Sequence, residues 1–202
     1  MSVLTKTEIE PDSAVLINAR SLDLSGDRFL ELCQDNRDLR LEMTAEGELI
    51  IMGPTTSETG RRNAKLTFRL CQWAEQDGTG VCFDSSAGFT LPNGAKVSPD
   101  ASWIMRERYE ALTDEEREQF APLCPDFVVE LRSKTDRLAR LQAKMIEYVE
   151  NGARLGWLLD PAARRVYIYR PGQQAAETLE NPDTLAGDPV LPGFHLHLNE
   201  IW

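Results

Sequence analysis

The chain has 202 residues, 42% hydrophobic and 27% charged, enough for one globular domain with a substantial core. A net charge of −11 argues against a protein that coats nucleic acid through a broadly basic surface, but permits a local basic groove. The longest apolar runs are strand-sized, such as LIIM and FVV, so no membrane-spanning helix is expected. The opening MSVLTKTEIEPD lacks the apolar stretch of a signal peptide.

Residues 1–24 read as an extended entry arm, and residues 25–202 as a single domain. Ser25 is positioned to cap a short helix, GDRFLELCQDN, with Phe29, Leu32 and Cys33 on one side. LRLEMT and ELIIMG, separated by AEG, form a hairpin, and Glu42 between apolar neighbours is expected at an exposed edge, with a site role as the second reading. Gly53-Pro54 stops that strand, and TTSETG leads into a long helix ending near Gly78. At 100° per residue, Glu58, Arg61, Arg62, Lys65 and Arg69 share one face of it, and Leu66, Leu70 and Trp73 share the next. A polar face is commonly just a solvated one. Four basic residues together in an acidic chain favour a phosphate-facing groove, to which Arg61, Arg62 and Lys65 are assigned.

VCFDSS and GFTLP read as strands, and Pro92-Asn93-Gly94 as a hairpin turn. AKVSPDASWIM reads as one strand with Ser98, Asp100 and Ser102 on a shared face. Pro99 makes it an edge or distorts it. RERYEALTDEEREQFAP is a helical excursion with a capping box at Thr113 and Glu116. FVVELR places Phe127, Val129 and Leu131 on one face and Val128, Glu130 and Arg132 on the other. Ser133 to Asp136 then cap a helix with an apolar stripe of Leu138, Leu141, Met145 and Val149, its margin carrying Arg137, Lys144 and Tyr148, and Gly152 closing it. ARLGWLLD and RRVYIYR form a hairpin across Pro161-Ala162-Ala163. The segment after Pro171-Gly172 is polar until Leu191, and the tail adds one short strand with His195 and His197 on the same side. Cys33, Cys71, Cys82 and Cys124 show no CxxC spacing, so reduced thiols in a cytoplasmic core are expected rather than zinc or disulfides. No GxSxG or P-loop is present.

The chemistry concentrates in two strand-borne acids. Asp100, after a proline in one strand, and Glu130, inside an apolar strand, can share a divalent ion, and Lys144 supplies positive charge from the next helix. A buried carboxylate in an apolar strand needs such a reason. The pattern is that of a metal-dependent phosphodiesterase.

Pro99-Asp100 followed by Glu130 resembles the PD-(D/E)xK restriction-endonuclease-like superfamily. The run VVELRS to LQAKMIEYVENGARLGWLLDP is similar to the bacterial Uma-type restriction endonucleases within it. The resemblance implies an α/β (mixed α+β) fold, a central mixed sheet flanked by helices with the hairpin at its N-terminal side. It implies a nuclease using Mg²⁺, or Mn²⁺ in its place, on a nucleic acid, DNA above all, with no membrane partner. Asp100 and Glu130 would be the metal ligands and Glu58 a further acid from the long helix. Arg132 stands where the superfamily lysine is expected, and an arginine stabilises charge but cannot act as a base. The resemblance assigns the lysine to Lys144, with Tyr148 supporting it or a phosphate. A homodimer is expected from the need to cut two strands. The rival reading is a nuclease fold kept as a binding or regulatory module, which the charge and Arg132 favour.

Overall fold

The computed structural model describes residues 14–24 and 27–202. The proposed cap at Ser25 and residues 1–13 of the entry arm lie outside the described residues. In chain order come β1 (Val15–Asn18), α1 (Asp27–Asp35), β2 (Arg40–Met43), β3 (Glu48–Met52), α2 (Ser57–Asp77) and β4 (Gly80–Asp84). Then follow β5 (Phe89–Thr90), β6 (Lys96–Val97), β7 (Ala101–Met105), α3 (Arg106–Glu110), α4 (Asp114–Arg117) and β8 (Phe127–Leu131). The chain ends with α5 (Leu138–Glu150), β9 (Leu155–Asp160), β10 (Arg165–Tyr169), β11 (Glu177–Glu180), β12 (Thr184–Ala186) and β13 (His195–His197).

These elements make a mixed α/β fold. A six-stranded sheet in the order β11-β10-β9-β8-β7-β4 forms the centre, with β8 and β9 parallel and its other neighbours antiparallel. The parallel pair requires a crossover, and α5 provides it. The alternation in β8 sorts its side chains as its sequence demands. Phe127, Val129 and Leu131 join Leu66 and Leu70 of α2 on one face, where Trp157 lies between Phe127 and Phe194. Val128 packs on the opposite face with Leu141, Met145 and Tyr148 of α5. A second, five-stranded sheet in the order β1-β3-β2-β6-β5 stands beside the first and carries α1, whose Phe29 is fully buried.

Local signals explain most boundaries. Thr56 accepts from the Thr59 N–H to start α2, and Gly78, at φ 73°, ends it in the left-handed conformation that glycine adopts without strain. Thr113 and Glu116 close the expected capping box on α4.

Four expectations need correction, and one polar segment gains strands. AKVSPDASWIM is not one strand: the chain leaves the five-stranded sheet after Val97 and enters the six-stranded sheet at Ala101. Pro99 has no N–H for a ladder, so the transfer falls there, and β7 becomes an interior strand rather than an edge. Ser133 to Asp136 do not cap α5. The Ser133 N–H donates to the Asp136 carboxylate in a separate turn, and α5 starts after Arg137 with no side-chain cap. Asn151 is the C-cap of α5, with Gly152 one residue beyond at φ 116°. The polar stretch before Leu191 contains β11 and β12, because edge strands need little apolar content. Finally, Cys71 and Cys82 form a disulfide, with their Cα atoms 5.3 Å apart. α2 turns back through two residues onto β4, so two cysteines with no sequence motif come face to face.

Gly80 opens β4 where the Trp103 indole and the Ile104 carbonyl would both meet an added Cβ. Gly80→Ala should lower stability by about 1–3 kcal/mol in urea unfolding, as overpacked interior sites do. An unchanged midpoint would contradict the packing of β4 on β7.

Candidate active site at the junction of the two sheets

The register of β7 on β8 pairs Ala101 with Val129. One residue further on in each direction are Asp100, just before β7, and Glu130, within β8, near enough for the Asp100 carboxylate to raise the pKa of Glu130. Both are nearly excluded from solvent, at 6% and 4% exposure. Asp100 Oδ2 accepts the Leu131 N–H at 2.8 Å, which fixes its carboxylate to β8. Its other oxygen accepts from Arg40 at 3.2 Å and from Asn63 at 3.1 Å. Arg40 also donates to the Ser98 carbonyl at 2.6 Å, so β2 is bound to both sides of Pro99.

Two turns into α5, Lys144 points down at the acids. Its Nζ lies 2.9 Å from Glu130 Oε1 and 2.8 Å from Glu42 Oε1. One turn on, the Tyr148 hydroxyl donates to the same Glu130 oxygen at 3.0 Å. The other Glu130 oxygen takes no hydrogen bond among the described residues, and Glu130 lines a cleft that reaches solvent. The first turn of α2 forms one wall of that cleft with Arg62 and Asn63. Ser133, Lys134 and Thr135 form the other, and Asp100, Glu130 and Lys144 lie on its floor.

Three acids, Glu42, Asp100 and Glu130, thus face two cations, Arg40 and Lys144. Burial pushes Glu130 up; Lys144 opposes the rise and the neighbouring Asp100 and Glu42 add to it, leaving a pKa of about 7. Burial would also raise Glu42, but Lys144 and Arg40 outweigh it and hold this acid below its ordinary range. For Lys144, burial works downward and is overcome by Glu130 and Glu42, so the ammonium stays protonated. Burial, then Glu130 and Glu42, raise the Tyr148 phenol well above its usual value, leaving it a hydrogen-bond donor.

The fold therefore brings together Asp100, Glu130, Lys144 and Tyr148. Of the lysine and tyrosine expected on a helix margin, Tyr148 is fully buried there and Lys144 is largely covered, its side chain 11% exposed. The expectation that Glu42 sits at an exposed edge is wrong: it is 1% exposed, because β2 is flanked by both β3 and β6 and this face turns toward α5. Arg132 does not occupy the lysine's place. Its guanidinium turns to Asp160 at 2.7 Å and to the Asp136 carbonyl, tying β9 to the turn before α5. Glu58 stands on the cleft rim, half exposed and paired with Arg61 at 2.8 Å and Arg62 at 3.2 Å. No group of three acids, histidines or cysteines close enough to hold a metal ion occurs among the described residues, so Glu58 is not drawn in beside Asp100 and Glu130. Arg61 and Arg62 also donate to the carbonyls of Glu200 and Ile201, so much of the basic face of α2 holds the C-terminal segment. Lys65 lies half-buried on that same face, near Glu200, and is not among the residues lining the cleft.

Sequence reasoning missed Arg40 and Asn63, and it ranked a site role for Glu42 below an exposed edge. The signals were present: Arg40 and Glu42 share one face of a strand, and Asn63 continues the Leu66–Leu70 stripe of α2. What those faces touch depended on the second sheet.

Comparison with known proteins now bears on this geometry. The family model described as "Putative restriction endonuclease" (Uma2) matches residues 27–199. The chain belongs to the Uma2 family. Among solved structures, it is similar to a "putative nuclease belonging to DUF820" from Anabaena variabilis, with a TM-score of 0.71 and 21% sequence identity. That match covers 87% of this chain and 95% of the other. The likeness shows a shared fold. A comparison with curated protein sequences finds no match.

The residues of this Uma2 chain fit the divalent metal its family implies. Two buried carboxylates, Asp100 and Glu130, line one cleft, and Mg²⁺ is commonly held by one or two carboxylates with water completing its shell. Asn63 Oδ1 is buried beside Asp100 without a partner, an acceptor suited to such a water. The excess negative charge on the floor also calls for a further cation.

Glu130 keeps its proton up to about 7 in the fold and loses it near 4.5 when unfolded. The folded chain therefore binds more protons across that window, and stability should fall as pH rises through it. In metal-free thermal melts, wild type should lose stability relative to Glu130→Gln between about 4.5 and about 7, and Mg²⁺ should restore it at the upper end. A flat or rising difference would contradict the burial of this acid.

Proposed function

We propose that this chain is a Mg²⁺-dependent nuclease that hydrolyses phosphodiester bonds in DNA, with Mn²⁺ able to replace Mg²⁺. The observation that carries the reading is that Asp100 and Glu130 are both buried and line one cleft, with Lys144 Nζ at 2.9 Å from the latter. A divalent cation held by the two carboxylates supplies charge against phosphate oxygens and lowers the pKa of a bound water.

The chain's own residues do the rest. Arg40 and Asn63 hold one oxygen of Asp100 and the Leu131 N–H holds the other, so the carboxylate keeps its orientation. Tyr148 fixes Glu130 from α5. Lys144, kept protonated by its carboxylates, cannot serve as a base. It places positive charge where a phosphate oxygen gains negative charge in the transition state. Arg62 and Lys134, on opposite walls, are placed to meet flanking phosphates. Arg61 and Lys65 extend the basic face beyond the cleft, and Arg132 supports the wall through Asp160. Glu58 acts on Arg61 and Arg62 rather than on the ion. A cytoplasmic homodimer, one site per strand, suits cleavage of duplex DNA.

The net charge of −11 favours a second reading, a nuclease fold used to bind or regulate with little turnover. The two readings part in a plasmid-nicking assay. Wild type should nick supercoiled DNA with Mg²⁺ and stop with chelator, and Asp100→Ala and Lys144→Met should each lose on the order of a hundredfold or more. Nicking that resists chelation, or that survives Asp100→Ala, would refute the proposal.

A further inference from the structure

Glu42 belongs to neither catalytic strand, and it does not line the cleft. It comes from β2 in the other sheet, is 1% exposed, and receives two hydrogen bonds on the same oxygen: Lys144 Nζ at 2.8 Å and the Ser98 N–H at 2.9 Å. Ser98 is two residues from Asp100, so the carboxylate that holds the lysine is itself held by the segment that carries the first acid. A continuous chain of contacts results, from the Ser98 N–H through Glu42 and Lys144 to Glu130, closed from the far side by Tyr148.

A buried ion pair is poor evidence for stability as such, since well-packed apolar side chains commonly serve as well. A charge maintained behind a lysine whose tip reaches the cleft has a different use. A lysine side chain has four rotatable bonds, and one carboxylate partner leaves its ammonium free to swing over that partner. Two partners from different sheets fix it at one point.

Taking the nuclease reading as its basis, we infer that Glu42 is a positioning residue: acting through Lys144, it holds the ammonium beside Glu130 without itself touching substrate or metal. Without Glu42 the ammonium collapses fully onto Glu130, where it is misplaced for the phosphate and competes with a cation for that carboxylate.

Two readouts test this. In the nicking assay, Glu42→Ala should lower kcat by up to about a hundredfold, the cost of misplacing a reacting group, with KM for DNA nearly unchanged. Glu42→Gln, whose amide oxygen can accept both bonds, should recover most of the loss. In a Lys144→Met background, Glu42→Ala should cost nothing further, because its only route is gone. In a calorimetric Mn²⁺ titration, which needs no turnover, Glu42→Ala should weaken affinity several-fold in the wild-type background and not at all with Lys144→Met. Losses that add in the double variant, an effect on KM alone, or Mn²⁺ affinity indifferent to Glu42 in both backgrounds would overturn the inference. Thermal melts and the Gln variant separate these outcomes from misfolding. A wild type that nicks nothing would refute the nuclease reading, and the Mn²⁺ series would still decide the placement of Lys144.

Discussion

Burying carboxylates is the constraint on which this structure turns. Glu42, Asp100 and Glu130 are each at most 6% exposed, and isolated charges in such surroundings would be untenable. The fold answers by bringing Arg40 from one sheet and Lys144 from α5 into the same few ångströms. Deleting one member of a buried charge network typically costs about 3–5 kcal/mol, because its partners stay behind uncompensated. The junction of the two sheets and the candidate active site are therefore one object. β2 contributes Arg40 and Glu42, the crossing at Pro99 delivers Asp100, β8 delivers Glu130, and the crossover helix α5 brings Lys144 and Tyr148.

The arrangement also explains where the remaining charges go. The net charge of this chain repels DNA at long range, and in the sequence the basic face of α2 is the natural counterweight. Much of that face instead holds the C-terminal segment, with Arg69 paired to Glu200 at 2.5 Å and Arg62 bonded to the Ile201 carbonyl. The cleft itself is lined by Arg40, Arg62, Arg132, Lys134, Arg140 and Lys144, so positive charge is concentrated there although the chain as a whole is acidic.

Much of this was legible in the residues. The alternation FVVEL determines that Glu130 opposes the Phe127 face, and the spacing of Leu141 and Met145 sets the buried side of α5, which also takes in Tyr148 from the expected margin. Both are local periodicities, and the core obeys them. The Uma2 membership and the mixed α/β fold agree with what the motif order implied. What could not be read depended on distant partners. Arg40 and Glu42 look like ordinary strand charges until the second sheet places them against Asp100 and Lys144. Cys71 and Cys82 look like unrelated thiols until α2 folds back on β4. Arg132 looked like a substituted catalytic lysine, whereas the buried Asp160 at the end of β9 had a prior claim on it. Local pattern specified the elements; the pairing of charges between them required the tertiary fold.

The central claim is that Asp100 and Glu130 share one divalent ion with Lys144 held beside them. A crystal structure with Mn²⁺ tests it most directly, through the anomalous signal of the metal. The account predicts a single peak within bonding distance of both carboxylates, with Lys144 still against Glu130 and Glu42. An absent peak at millimolar Mn²⁺, or one seated elsewhere, such as at His195 and His197, would contradict it.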